Sequence, residues 1–129
     1  MQKLARVFGA VLVAVGVLGF VPGITSNGNL LGIFQVDAIH NIFHLLTGVL
    51  AFVVANGAGT NARLYFQVVG VVYALATVVG FLQGDTVLGI MAVNGAGNVL
   101  HLVIAAVALY IGFGKKESAG GMGGVQGAV

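Results

Sequence analysis

Seven polar residues sit at spaced positions in otherwise apolar sequence: Asp37, His40, Asn41 and His44 in one stretch, Asn94, Asn98 and His101 in another. Asp37 and Asn94 are residue types that favour helix N-caps, and each stands where an apolar run begins. On a helix, Asn41 then lies one turn from His44, and Asn98 one turn from His101. Three chemistries suit the two N-x-x-H pairs. The favoured one is a structural network in which each imidazole bonds an Asn or a backbone carbonyl. A second is a tetrapyrrole site, with His44 and His101 as axial ligands to a haem or one of them holding a chlorophyll-type pigment. The third is a metal site from Asp37, His40 and His44, which share a helical face at i, i+3 and i+7. His40 corresponds to Gly97 in the second stretch, so such a site is asymmetric. Proton or solute movement through the imidazoles completes the set.

Other chemistry is excluded by residue type. No cysteine is present, which removes thiolate metal sites, disulfides and cysteine nucleophiles. A Ser-His-Asp arrangement lacks its nucleophile, because Ser26 and Ser118 fall outside the apolar stretches. No glutamate lies in these stretches, and no glycine-rich phosphate loop with a following Lys-Ser/Thr occurs. Neither catalysis nor ion-coupled transport is therefore expected.

The elements that position these residues follow from composition. Of 129 residues 59% are hydrophobic and only 6% charged, with mean hydropathy +1.10. An ordinary soluble domain carries about a quarter charged residues, so this chain belongs in a bilayer. Four apolar stretches, 4–21, 38–55, 64–82 and 97–113, approach the ~20 residues a helix needs to cross. In hydrocarbon each backbone N–H must find a partner within its own segment, which makes helix the conformation despite many valines. The alternation of a membrane β-strand is missing. A secretory signal is the competing reading of the first stretch, with Lys3 and Arg6 ahead of it, but no A-x-A-like cleavage site follows.

All five basic residues, Lys3, Arg6, Arg63, Lys115 and Lys116, fall on one side of a four-span arrangement, and Asp37 and Asp85 on the other. The positive-inside rule then predicts an inner-membrane protein with both termini cytoplasmic. Tyr65 and Tyr110 read as interfacial aromatics. Five scattered cations make no footprint for nucleic acid, so none is expected as a partner. Residues 114–129 are glycine-rich and read as a flexible cytoplasmic tail.

The two halves match. Gly9, Gly19-Phe20 and Gly23 recur as Gly70, Gly80-Phe81 and Gly84, at an offset of 61. Leu31-Gly32-Ile33 recurs as Leu88-Gly89-Ile90 at an offset of 57, as do Asn41 and His44 in Asn98 and His101. The predicted fold is an all-α four-transmembrane-helix bundle. It consists of two tandem helical hairpins related by a pseudo-two-fold axis along the membrane normal. Gly19 with Gly23, and Ala76 with Gly80 and Gly84, form small-residue stripes suited to close helix packing within the bundle, or else to a dimer face. The apolar connections Leu30–Phe34 and Val87–Met91 read as interfacial segments folded over the bundle mouth.

The motifs G-F-V-P-G, L-G-I-F-Q-V-D-A-I-H-N-I-F-H-L-L-T-G and N-V-L-H-L-V resemble a bacterial family of small four-helix membrane proteins known as a domain of unknown function, over residues 4 to 113. The resemblance implies topology and no mechanism. The expected role is non-enzymatic: a structural or accessory subunit of a larger membrane assembly, with other membrane subunits or further copies of itself as partners. Tetrapyrrole binding through His44 and His101 is the alternative.

Overall fold

The computed structural model describes residues 1–57 and 59–114; the tail reading falls on residues outside these, apart from Gly114. Four helices dominate: α1 (Gln2–Leu18), α2 (Ala38–Ala55), α3 (Gly59–Gln83) and α4 (Gly95–Leu109), the last continued by a π-helical turn at Tyr110–Gly114. Three of them are long and apolar enough to cross a membrane: α2, α3 from Asn61, and α4 with its π-helical turn. At 17 residues, α1 is about 26 Å long at 1.5 Å per residue.

Element ends follow local chemistry. The α1 helix stops three residues short of the apolar run, because its last turn tightens (Phe20 N–H to Val17 O, 3.0 Å) and Pro22 follows. Thr25 Oγ1 then donates to Leu18 O at 2.8 Å, satisfying a terminal carbonyl. At the start of α2, Asp37 is extended and accepts from His40 N–H at 2.8 Å. Asn94 does the same for α4, accepting from Gly97 N–H at 2.9 Å, so that helix begins two residues before its apolar run.

The connections form short antiparallel β-hairpins where the sequence reading had only apolar interfacial segments. Strands β1 (Thr25–Ser26), β2 (Asn29–Leu30) and β3 (Phe34–Gln35) form one sheet, and β4 (Thr86–Val87) with β5 (Met91–Ala92) the other. Turn residues explain this. Asn27 (φ 54°) and Gly28 (φ 78°) make the primed turn that Asn-Gly favours between twisted strands. Leu31-Gly32 (φ 55°, 71°), in the second turn of the first connection, and Leu88-Gly89 (φ 57°, 72°), in the one β-turn of the second, repeat it, closed by Ile33 N–H to Leu30 O and Ile90 N–H to Val87 O.

Packing runs in chain order, α1 against α2 and α3 against α4, with α2 meeting α3 between them. Small residues let the backbones approach. A Cβ on Gly9 would lie 2.8 Å from Gly48 O, and one on Gly70 3.0 Å from Leu109 N. Gly19 and Gly80 face the side-chain amides of Asn41 and Asn98, so these small residues are spent inside the hairpins rather than on a free face. The main core joins Ala5, Leu12, Ala51, Phe66, Tyr73 and Ala105, and a second cluster of Ala76, Val87, Met91 and Val93 lies under the β4–β5 hairpin. At the other end Arg6 donates to Ala55 O at 3.2 Å and Gln67 to Gly112 O at 2.9 Å, closing the ends of α2 and α4.

Candidate functional site

The three histidines meet. His40 and His44 from α2 and His101 from α4 are all buried, at 2%, 1% and 0% exposure. One ring nitrogen from each lies within 4.8 Å of the others. The ring centroids of His40 and His44 are 4.8 Å apart and stacked, as their one-turn spacing dictates. His101 closes the group at 5.0 Å from His40 and 5.4 Å from His44.

The hydrogen bonds assign the protons. His40 Nδ1 is 2.6 Å from Ala92 O, a carbonyl that can only accept, so Nδ1 carries the hydrogen. A neutral His40 therefore offers a lone pair at Nε2, and His101 Nε2–H donates to it at 3.1 Å. His101 Nδ1 is then a bare acceptor, and it is buried without a partner. On the other side, Thr47 Oγ1 donates back to Phe43 O and His44 O at 3.0 and 3.1 Å. Tyr73 Oη, 2.9 Å from Thr47 Oγ1 and 3.2 Å from His44 Nδ1, then donates to the threonine and accepts from the imidazole.

Asp37 stands outside the imidazole group. Its Oδ1 is held by His40 N–H and its Oδ2 by Ala92 N–H at 2.9 Å, so the carboxylate points to the helix end rather than toward a shared ion. The Ala92 peptide is thus gripped twice by the first turn of α2, its N–H by Asp37 and its C=O by His40. In return Asn94 Nδ2 donates to Ile33 O at 2.9 Å. Each helix cap therefore also braces the opposite hairpin.

Asn41 and Asn98 are buried, but their Oδ1 atoms bond no imidazole and have no hydrogen-bond partner at all. Each oxygen occupies the space where Gly19 or Gly80 lacks a Cβ. A weak Cα–H contact rationalises a geometry that recurs twice. The network reading of the histidines thus keeps the backbone carbonyl it expected, at His40, but a tyrosine and another histidine take the place of the asparagines.

The geometry of a haem held between two axial imidazoles is not met. Axial imidazoles stand on opposite faces of a macrocycle, whereas His101 bonds His40 directly and its ring centroid is 5.4 Å from that of His44. No slot for a planar ring remains between them. Two apolar clefts, of about 290 Å³ beside Phe43 and Val72 and about 350 Å³ beside Leu64 and Val68, are lined by no histidine.

Thr47, Tyr65 and Tyr73 were not singled out in the sequence as site residues. Thr47 follows His44 by one turn, a signal that was available. Tyr65, read as interfacial, is instead buried and donates to Thr47 O at 2.6 Å; Tyr110 is 65% exposed.

A family model described as a domain of unknown function, DUF4383, matches residues 2–114. No curated protein and no solved structure matches the chain.

Proposed function

We propose, for a chain that belongs to the DUF4383 family of domains of unknown function, a non-enzymatic role as a structural or accessory subunit of a larger assembly in the inner membrane. One observation carries this. Every imidazole is sealed inside the bundle, while large apolar side chains such as Val7, Leu46, Val53, Leu75, Leu82 and Val103 cover the outside of all four helices. An exterior of this kind suits lipid and the apolar faces of other subunits.

In this reading all four helices cross, α1 included, with both termini on the cytoplasmic side where Lys3, Arg6 and Arg63 lie. The two hairpins are a tandem duplication related by a pseudo-two-fold axis. Its support is the recurrence of the Asp37 and Asn94 caps, of the Leu-Gly turns, and of the Gly19–Asn41 and Gly80–Asn98 contacts. The carbonyl clamps add to it: Arg6 on Ala55 corresponds to Gln67 on Gly112 at the same two offsets. Over this frame the halves differ where the site lies. His40 faces its counterpart Gly97, Thr47 its counterpart Ile104, and Tyr73 its counterpart Leu12.

Native mass spectrometry after extraction in a gentle detergent tests the role. A complex heavier than one chain is expected. A monomer in every detergent and in lipid nanodiscs would contradict it.

A further inference from the structure

We infer that His40, His44 and His101 form a binding site for a single late first-row transition-metal ion, with zinc and copper as the ions to try. This reading needs only the folded hairpin pair and is independent of any partner subunit. It replaces the carboxylate of Asp37 with an imidazole from the other hairpin.

The donor geometry is close to what such an ion requires. Metal–imidazole bonds of about 2.0–2.1 Å at a tetrahedral angle separate two ligand nitrogens by about 3.3 Å, and His40 Nε2 and His101 Nε2 are 3.1 Å apart. One ligand nitrogen from each of the three histidines lies within 4.8 Å of the others, so binding draws the His44 ring toward the other two. Three neutral imidazoles suit zinc, copper, iron or nickel, and leave a fourth position open.

The surroundings are those of a ligand set as well as of a packed core. Metal-binding histidines usually give their second ring N–H to a carbonyl or another oxygen, which fixes the tautomer and aims the ligand nitrogen. His40 does so through Nδ1 to Ala92 O, and His44 through Nδ1 to Tyr73 Oη, which is itself held by Thr47. Both are left with Nε2 as the ligand nitrogen, that of His40 exchanging the His101 N–H for the ion. A second and independent observation is His101, fully buried with Nδ1 unpartnered. With no partner at Nδ1 to fix its tautomer, this ring can carry its proton there and present Nε2 to an ion. Ion binding at His101 Nε2 moves its proton to Nδ1, so the ring stays neutral and no proton leaves the protein. Charge is balanced in part by Asp37, the one carboxylate at this end of α2.

The test uses full-length protein in detergent, carrying an affinity tag without histidines. Metal is stripped with a chelator and restored with Zn²⁺, or with Cu⁺ under reducing conditions. The expected result is about one ion per chain, together with movement of all three imidazole ¹⁵N resonances in selectively labelled wild-type protein. X-ray absorption should report nitrogen donors at about 2.0–2.1 Å. His44→Gln and His101→Gln should each lose stoichiometric binding, and Tyr73→Phe, a positioning variant that keeps all three ligands, should weaken it about 10- to 100-fold. Because a histidine variant could fail to fold, the wild-type resonances decide. Imidazole signals unmoved by both ions, or metal retained in a folded His44→Gln/His101→Gln double variant, would overturn the site.

Discussion

Gly19 and Gly95 are both glycines at a helix boundary, and the structure asks opposite things of them. A methyl group on Gly19 would run into the Asn41 amide, whereas one on Gly95 meets nothing within 4 Å. Gly19→Ala, and likewise Gly80→Ala against Asn98, should destabilise the protein by about 1–3 kcal/mol through overpacking. Gly95→Ala should be neutral or stabilising by up to about 1 kcal/mol. Thermal unfolding in one detergent compares all three, and equal effects would refute the proposed contacts. Asp37 offers a second residue-scale test, because its two oxygens do separate work. Asp37→Ala should cost about 1–2 kcal/mol from the cap alone, plus the loss of the brace to Ala92. Asp37→Asn keeps one acceptor and should fall between. At this scale the sequence was legible where chemistry is local, since Asp37 and Asn94 announce helix starts by type and position. Spacing along one helix could not reveal that His101 completes the group, because that contact spans 61 residues.

The elements were legible in proportion to how strongly lipid dictates them. The sequence bounds of α2 coincide with the observed helix, since a cap residue abuts an uninterrupted apolar run. Polar ends blurred α3, which begins five residues before its run, and α1 ended early because Pro22 follows. The β-hairpins were hidden by apolar composition, although Asn27-Gly28 carried a readable turn signature. Leu31 and Leu88 show why the Leu-Gly turns are hidden in the sequence: leucine is a poor residue for positive φ, yet both adopt it. Both are also strongly exposed, so little burial is at stake. Leu31→Gly and Leu88→Gly should therefore each stabilise the hairpins by about 1 kcal/mol through relief of left-handed strain. Hydrogen exchange of the Ile33 and Ile90 amides would register the gain as slower opening. Faster exchange in both variants would argue against these turns.

At the scale of the whole molecule, the absence of cysteine makes topology measurable without a background. Single variants Gln2→Cys, Ser26→Cys, Asn56→Cys and Asp85→Cys flank α1, α2 and α3 in turn. With an impermeant maleimide on intact cells, positions 26 and 85 should label, and positions 2 and 56 only after permeabilisation. Labelling of positions 2 and 26 from the same side would show that α1 does not cross, which length alone leaves undecided at 17 residues. Composition made the membrane legible immediately, but it could not say how the hairpins meet. That depends on side chains that are minor by number: a carboxylate and an imidazole gripping the Ala92 peptide, and a nitrogen shared between two helices.

The His40–His101 contact joins the hairpins, and a double-mutant cycle measures it most directly. Unfolding free energies of metal-free wild type, His40→Gln, His101→Gln and the double variant give the coupling between the two rings. A coupling of about 1 kcal/mol or more is predicted for a buried shared N–H. Additivity within about 0.5 kcal/mol would mean that the rings do not touch, and would contradict the account.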